Sequence, residues 1–332
     1  MKARAMVLEV PRKMSLQTFD IPDIGPEDGL LKVKMVGVCG SDPGMYQGKK
    51  SRQPRPFPII MGHEMVGEIA EIGDIAARNH KVQKGDRVIV EYAFPCGYCR
   101  DCLEGNYTRC SSALCYGSMI SSQDSPHLWG AYSEYMYIAP RAVVHKISPT
   151  LPDEAAVLVS AVLGNAIRWL RMKGGVSIGD TVVIQGPGQQ GLAGVIVARE
   201  SGASNIIVTG MSRDENRMAL AREFGATCCC NIEKEDAVKI VSDITEGRMA
   251  DVVLEVTGNP ASLSKGVDLV GGGGRIIMPG LYGLDKEIPI AMDRLIYKEA
   301  SMIGVFSHNI SSVIPAIKLA ESRKYPLEKM VT

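Results

Sequence analysis

A chain of 332 residues, 45% of them hydrophobic, can bury a core in each of two ordinary domains, which excludes a small scaffold dependent on covalent staples. Its 37 Lys and Arg balance its 37 Asp and Glu, so no summed positive field exists to hold a phosphate polymer or an anionic bilayer, and small-molecule chemistry fits better than nucleic-acid or membrane binding. The nine cysteines are an odd number and four of them crowd into residues 96–110, which suits metal binding in a reducing compartment better than a disulfide framework.

The opening residues, Met1 to Pro11, alternate and carry charge early, without the apolar run of a signal peptide. No stretch approaches the roughly 20 uncharged apolar residues that span a bilayer, and the expected location is the cytoplasm. Up to residue 150 the chain reads as short strand-like runs broken by Gly and Pro, such as 29–38, 65–73 and 88–90, a pattern that predicts an all-β, barrel-like unit.

Within that unit Cys39, in Gly37-Val38-Cys39-Gly40-Ser41-Asp42, and His63-Glu64, after Gly62, lie at glycine-flanked turns where a ligand atom can point into a cleft. Taken singly, such a histidine is more often a hydrogen-bonded core or surface residue, and such a cysteine a buried apolar one. Further on, Cys96-x-x-Cys99-x-x-Cys102 followed by Cys110 places four thiols in one loop, 92–115. That spacing lets a short chain wrap a tetrahedral ion, and zinc at structural sites prefers four thiolates with every position filled. An iron-sulfur cluster uses the same ligands at other spacings. Cys115 and the run Cys228-Cys229-Cys230 read as ordinary small buried residues.

From residue 150 onward helical stretches, 153–172 and 215–224, alternate with wholly apolar strands at 181–184, 206–208, 251–256 and 275–278. Continuous apolar strands separated by helices predict a parallel sheet covered on both faces. The strand at 181–184 leads into Gly186-Pro187-Gly188-Gln189-Gln190-Gly191 and then a helix. In that context the glycines fit a dinucleotide turn: Gly186 for the tight turn, Gly188 for backbone approach to a pyrophosphate, Gly191 for helix–strand packing. The next strand ends in Thr209-Gly210-Met211-Ser212-Arg213, without the acidic residue that would bind a ribose 2′-hydroxyl. A hydroxyl at Ser212 and a guanidinium at Arg213 can hold a 2′-phosphate, so NADP is favoured, while nearby Asp214 and Glu215 keep NAD open.

Cys39-Gly40-Ser41-Asp42, Gly62-His63-Glu64, the cysteine lobe and Gly186-x-Gly188-x-x-Gly191, in that order, resemble the zinc-containing medium-chain dehydrogenase/reductase family over nearly the whole chain. That family includes alcohol, sorbitol, threonine and glucose dehydrogenases. The resemblance implies an α/β plus β protein: a GroES-like β-barrel catalytic domain (1–150) with a doubly wound Rossmann domain (151–300), the active site in a cleft between them. A C-terminal segment (301–332) would return towards the catalytic domain and is shorter than usual. By the same match Cys39 and His63 resemble ligands of a catalytic zinc, Glu64 the carboxylate that binds or exchanges onto it, Asp42 the partner orienting the histidine, and Ser41 the hydroxyl that bonds the substrate oxygen. Thr257, Gly280 and Leu281 resemble loop residues that touch the cofactor. Two zinc ions per chain, a small alcohol or carbonyl substrate, and a homodimer or homotetramer follow as expectations.

The chain also departs from the pattern. Val159 stands where members often carry a further zinc ligand, and Gly44 stands where some alcohol dehydrogenases place a relay histidine, leaving Tyr46 as a substitute or a pocket wall. Further pocket candidates are Phe94, Leu114, Trp129 and residues 305–308. Two rival readings remain: a zinc-free quinone or enoyl reductase on the same fold, and a non-enzymatic zinc-ribbon binding module.

Overall fold

A computed structural model describes residues 1–51 and 54–332. They form two compact units, Met1–Ala161 with Asn309–Glu328, and Val162–His308 with Lys329–Thr332. Both transitions fall later in the chain than 150 and 300. The strand Ser301–Gly304 joins the sheet of the second unit, and the helix Ile310–Glu321 belongs to the first.

The first unit is built from antiparallel strands. Lys2–Val10 alternates side chains in and out, burying Ala3, Ala5 and Val7, as a strand covered on one face must. It pairs with Lys13–Asp20 and Ile59–Ile60. A five-stranded sheet runs in the order Val144–Lys146, Arg87–Val90, Met65–Ile72, Gly29–Val36, Tyr135–Ile138. Between the sheets lies one core that includes Val7, Leu31, Met65, Ile69, Tyr116 and Leu128.

The second unit is a six-stranded parallel sheet in the order Cys228–Asn231, Asn205–Gly210, Thr181–Gln185, Ala250–Glu255, Val270–Met278, Ser301–Gly304. Every residue of Thr181–Gln185 is buried, as expected of a central strand with both faces covered. In sequence rank the order is 3-2-1-4-5-6, the doubly wound arrangement, in which ligands bind outside the carboxyl ends of the strands near the reversal of order.

One long helix and one group of cysteines need comment. The helical run Asp153–Lys173 is long and apolar enough to cross a membrane by length and composition alone, although Arg168 and Arg171 leave it without about 20 uncharged residues in a row. In the fold 89% of its apolar window is buried, and the Arg168 guanidinium donates to the carbonyls of Phe306 and Ser307, which offsets the cost of burying the charge. Secondly, of the cysteines read as buried only Cys230 is. Cys228 and Cys229 are half-buried because Cys228–Asn231 is an edge strand, and Cys115 is half-buried in the short ribbon Leu114–Cys115.

Candidate active site

Strand register brings the first group of polar residues together. Gly29–Val36 and Met65–Ile72 are antiparallel neighbours with Val36 opposite Met65, so the turn that follows the first strand meets the turn that precedes the second. The Gly37 N–H donates to the Glu64 carbonyl at 2.7 Å and extends that ladder. Cys39, His63 and Glu64 thereby converge, each offering a ligand atom within 4.8 Å of the others. Cys39 and His63 are half-buried and Glu64 is buried.

Asp42 organises this turn from the start of the short helix Asp42–Tyr46. Its Oδ2 accepts from the Cys39 N–H at 2.8 Å and from the Tyr132 hydroxyl at 3.0 Å. Its Oδ1 lies 3.8 Å from His63 Nδ1, and both of those buried atoms lack a hydrogen-bond partner. Burial, reinforced by the nearby Cys39 thiolate, pushes the Glu64 carboxyl up to about 8. A thiol, an imidazole and a buried carboxyl packed this closely form a donor set that a divalent cation satisfies, since it favours the thiolate, the neutral imidazole and the carboxylate over their protonated forms. Ser41 is exposed beside them. Val159 is fully buried and offers no donor atom.

The second cluster is Cys96, Cys99, Cys102 and Cys110, whose sulfurs also lie within 4.8 Å of one another. The Cys99–Cys102 and Cys96–Cys102 sulfur pairs are 3.4 and 3.7 Å apart. A tetrahedron with bonds of about 2.3 Å to zinc has edges of roughly 3.8 Å, whereas a disulfide bond is about 2.05 Å, so the spacing fits a zinc ion. Pairing of Ala93–Phe94 with Leu114–Cys115 closes the base of the loop. Three contacts tie the lobe to the rest of its unit: Tyr107 donates to the buried Glu91 carboxylate, Arg141 to the Cys96 carbonyl at 3.1 Å, and Asn309 to the Gly105 carbonyl at 2.9 Å. His145 Nε2 shares Glu91 from the other side at 2.8 Å.

In the second unit the glycine turn runs from Gly186 into the helix Gln189–Glu200. Gly186 adopts φ +104°, open to glycine. A Cβ on Gly191 would sit 1.9 Å from the Gly186 carbonyl, whereas one on Gly188 would project into open space at the N-terminus of the helix Gln189–Glu200. That space is faced by the free amides of the first helical turn, an arrangement that can receive an anion. Ser212 and Arg213 are exposed in the turn Ser212–Asp214 after the neighbouring strand. The Ser212 N–H donates to Glu233 at 2.7 Å, and its hydroxyl accepts from Asn231 at 3.0 Å. Thr257, Gly280 and Leu281 lie in two adjoining loops, a Cβ on Gly258 falling 2.9 Å from the Leu281 carbonyl.

Some pocket candidates have other work. Tyr46 donates to the Arg12 carbonyl at 3.2 Å, and Phe94 is buried against Tyr116 and Trp129, its ring centroid 4.8 and 6.1 Å from theirs. His308 is buried, with Nδ1 3.3 Å from the Asn165 side-chain oxygen.

Comparison with known proteins follows these two halves. Residues 25–150 match the family described as "Alcohol dehydrogenase GroES-like domain" and residues 191–322 the one described as "Zinc-binding dehydrogenase". A probable alcohol dehydrogenase of Mycobacterium tuberculosis is 36% identical over 338 residues, covering 98% of this chain and 89% of that protein. The chain belongs to the zinc-dependent medium-chain dehydrogenase family. A sorbitol dehydrogenase of Bacillus subtilis is 33% identical, covering 92% of this chain and 82% of its own. The crystal structure of an alcohol dehydrogenase from Thermotoga maritima superposes with a TM-score of 0.90 at 31% identity, covering 99% of this chain and 91% of that one. This medium-chain dehydrogenase is thus an NAD(P)-dependent alcohol oxidoreductase that uses zinc and a nicotinamide cofactor, which sets aside the non-enzymatic reading.

Sequence reasoning passed over Tyr132, Glu91, Glu255 and Tyr282. Each acts through a partner distant in the chain, and no local motif marks such a residue.

Proposed function

We propose that Cys39, His63 and Glu64 hold a catalytic zinc ion, that Cys96, Cys99, Cys102 and Cys110 hold a structural one, and that the dehydrogenase prefers NADP. The reading is carried by the convergence of thiol, imidazole and carboxylate atoms within 4.8 Å, beside an Asp42 oxygen and a His63 nitrogen that both lack partners. When bound, the catalytic ion supplies a Lewis acid for a substrate oxygen, and the dinucleotide supplies or receives hydride. Asp42 Oδ1 faces His63 Nδ1 at 3.8 Å and would orient the imidazole from that side on closing to hydrogen-bond distance, leaving Nε2 as the ligand atom, while its bond to the Cys39 amide holds the thiolate turn in place. Ser41, exposed beside the ligands, holds the proton of the substrate hydroxyl. With Gly44 at the relay position and the Tyr46 hydroxyl committed to a carbonyl, the proton leaves through water.

For the cofactor, Ser212 and Arg213 supply a hydroxyl and a guanidinium for a 2′-phosphate, and Glu233 must release the Ser212 amide to admit it. The test is a panel of small alcohols, polyols, sugars and ketones assayed with both dinucleotides. A higher kcat/KM with NADP is expected, with Arg213→Ala lowering that value roughly tenfold or more while sparing NAD, as befits loss of a charge-assisted contact. Equal loss with both dinucleotides would sink the NADP assignment.

The same reading extends to assembly and location. Ser301–Gly304 is an edge strand, and Leu281 (77% exposed), Ile296 (65%) and Tyr297 (87%) stand in or beside the segments that flank it. An open edge with exposed apolar side chains favours pairing with a second copy. Sedimentation should give at least twice the 35.8 kDa chain mass, and a monomer at micromolar concentration would contradict it. Nine free cysteines fit a cytoplasmic protein.

A further inference from the structure

Three neighbouring strands of the parallel sheet, Thr181–Gln185, Ala250–Glu255 and Val270–Met278, end in loops that carry Gly186, Thr257 with Gly258, and Gly280 to Tyr282. Glu255, last residue of the middle strand, is fully buried. Its Oε1 accepts from the Thr257 N–H at 2.8 Å and from the Thr257 hydroxyl. Its Oε2 accepts from the Gly258 N–H at 3.3 Å and from the Tyr282 hydroxyl at 2.5 Å. Burial and this carboxylate push the Tyr282 hydroxyl well above the usual phenol range, so it stays a donor.

The loops are also pressed together. A Cβ on Gly280 would lie 2.9 Å from the Gly258 nitrogen and 3.0 Å from Glu255 Oε2, and a Cβ on Gly186 would lie 2.8 Å from Thr257 Cγ2. One carboxylate thus binds two loops directly and the glycine turn through Thr257. The Thr257 hydroxyl gives its proton to Glu255 and accepts from the Asn259 N–H at 3.0 Å. Its orientation is fixed, and it offers an incoming ligand a lone pair rather than a proton.

We propose that Glu255 is a positioning residue for the dinucleotide, holding the three loops at the carboxyl end of the sheet in the shape that receives it. This rests on the reading of Gly186, Gly188 and Gly191 as the turn that receives the dinucleotide pyrophosphate. The chemistry requires a carboxylate, because all four partners donate and each oxygen must accept twice. Glutamine has nearly the same shape but turns a donor towards one pair of partners, releasing either Thr257 or the Gly258–Tyr282 side.

Titration of the full-length protein with NADP and with NAD, followed by fluorescence, tests this on wild type, Glu255→Gln and Tyr282→Phe, with zinc content and melting temperature measured on the same samples. Glu255→Gln should raise the dinucleotide Kd roughly 10- to 100-fold, the scale of hydrogen bonds to a charged group, with zinc content unchanged and the kinetic loss in cofactor KM rather than kcat. Tyr282→Phe should raise Kd less, and the double variant should bind no worse than Glu255→Gln, because both act through one latch. Kd at the wild-type value in Glu255→Gln, even with a lower melting temperature, overturns the proposal. If that variant does not fold, an unchanged Kd in Tyr282→Phe does so instead. Wild type binding neither dinucleotide would overturn the glycine-turn reading itself, a result distinct from either variant's.

Discussion

Cys39→Ser and His63→Ala are each expected to lower kcat by about 1000-fold or more while leaving the fold intact. A Lewis acid supplies several kcal/mol of charge stabilisation in such reactions, and each ~1.36 kcal/mol is tenfold in rate. Both residues are half-buried and stand in turns, so their truncation leaves the buried cores untouched, and stability should change by no more than about 1 kcal/mol. Metal analysis of the purified variants should fall from two zinc ions to one, the remaining ion being that of the cysteine lobe. A variant with wild-type turnover would end the catalytic-zinc reading. One that lost both ions would show that the two clusters are not independent.

Cys110→Ser should do the reverse, lowering stability strongly and keeping the ion at Cys39 and His63. Three thiolates hold zinc poorly, and structural zinc contributes directly to folding. The lobe is not an isolated appendage: when it loosens, Tyr107 withdraws from Glu91, a fully buried carboxylate that then loses this donor. Losing a hydrogen bond to a buried charged group costs about 1.5–3 kcal/mol, which for units of this size corresponds to a fall in melting temperature of roughly 3–12 °C. Differential scanning calorimetry with parallel zinc analysis reads both quantities. An unchanged melting temperature with one ion lost would mean that the lobe carries no stability.

The two cysteine-bearing clusters differ in legibility. The cysteine lobe and the glycine turn are confined to 96–110 and 186–191, stretches so short that a few backbone dihedrals set their geometry, and spacing alone therefore announces them. The alternation of Lys2–Val10 and the wholly buried Thr181–Gln185 were equally plain, because periodicity reports which faces are covered. The buried Asp153–Lys173 run was less plain, since a charged Arg168 inside a core helix requires carbonyl partners more than a hundred residues away. Cys228 and Cys229 misled in the opposite sense: their composition says core, but only strand order tells that they lie on an edge.

For Cys39, His63 and Glu64 the residue types were legible and the meeting was not. Their convergence depends on Val36 pairing with Met65, and a slip of one residue in that register would turn every side chain of the strand to the other face. The latch at Glu255 is a stronger case, for nothing near Glu255 in the chain predicts a bond to Tyr282.

Sequence by itself determined the fold class, the four-cysteine loop and the glycine turn, since periodicity and short-range spacing leave them few arrangements. Tertiary structure decided which buried carboxylates serve which loops, with Glu91 anchoring the cysteine lobe and Glu255 joining the ends of three strands. The physical reason is that a buried charge persists only where several donors converge on it, and such donors come from elements that become neighbours only after the sheets have formed.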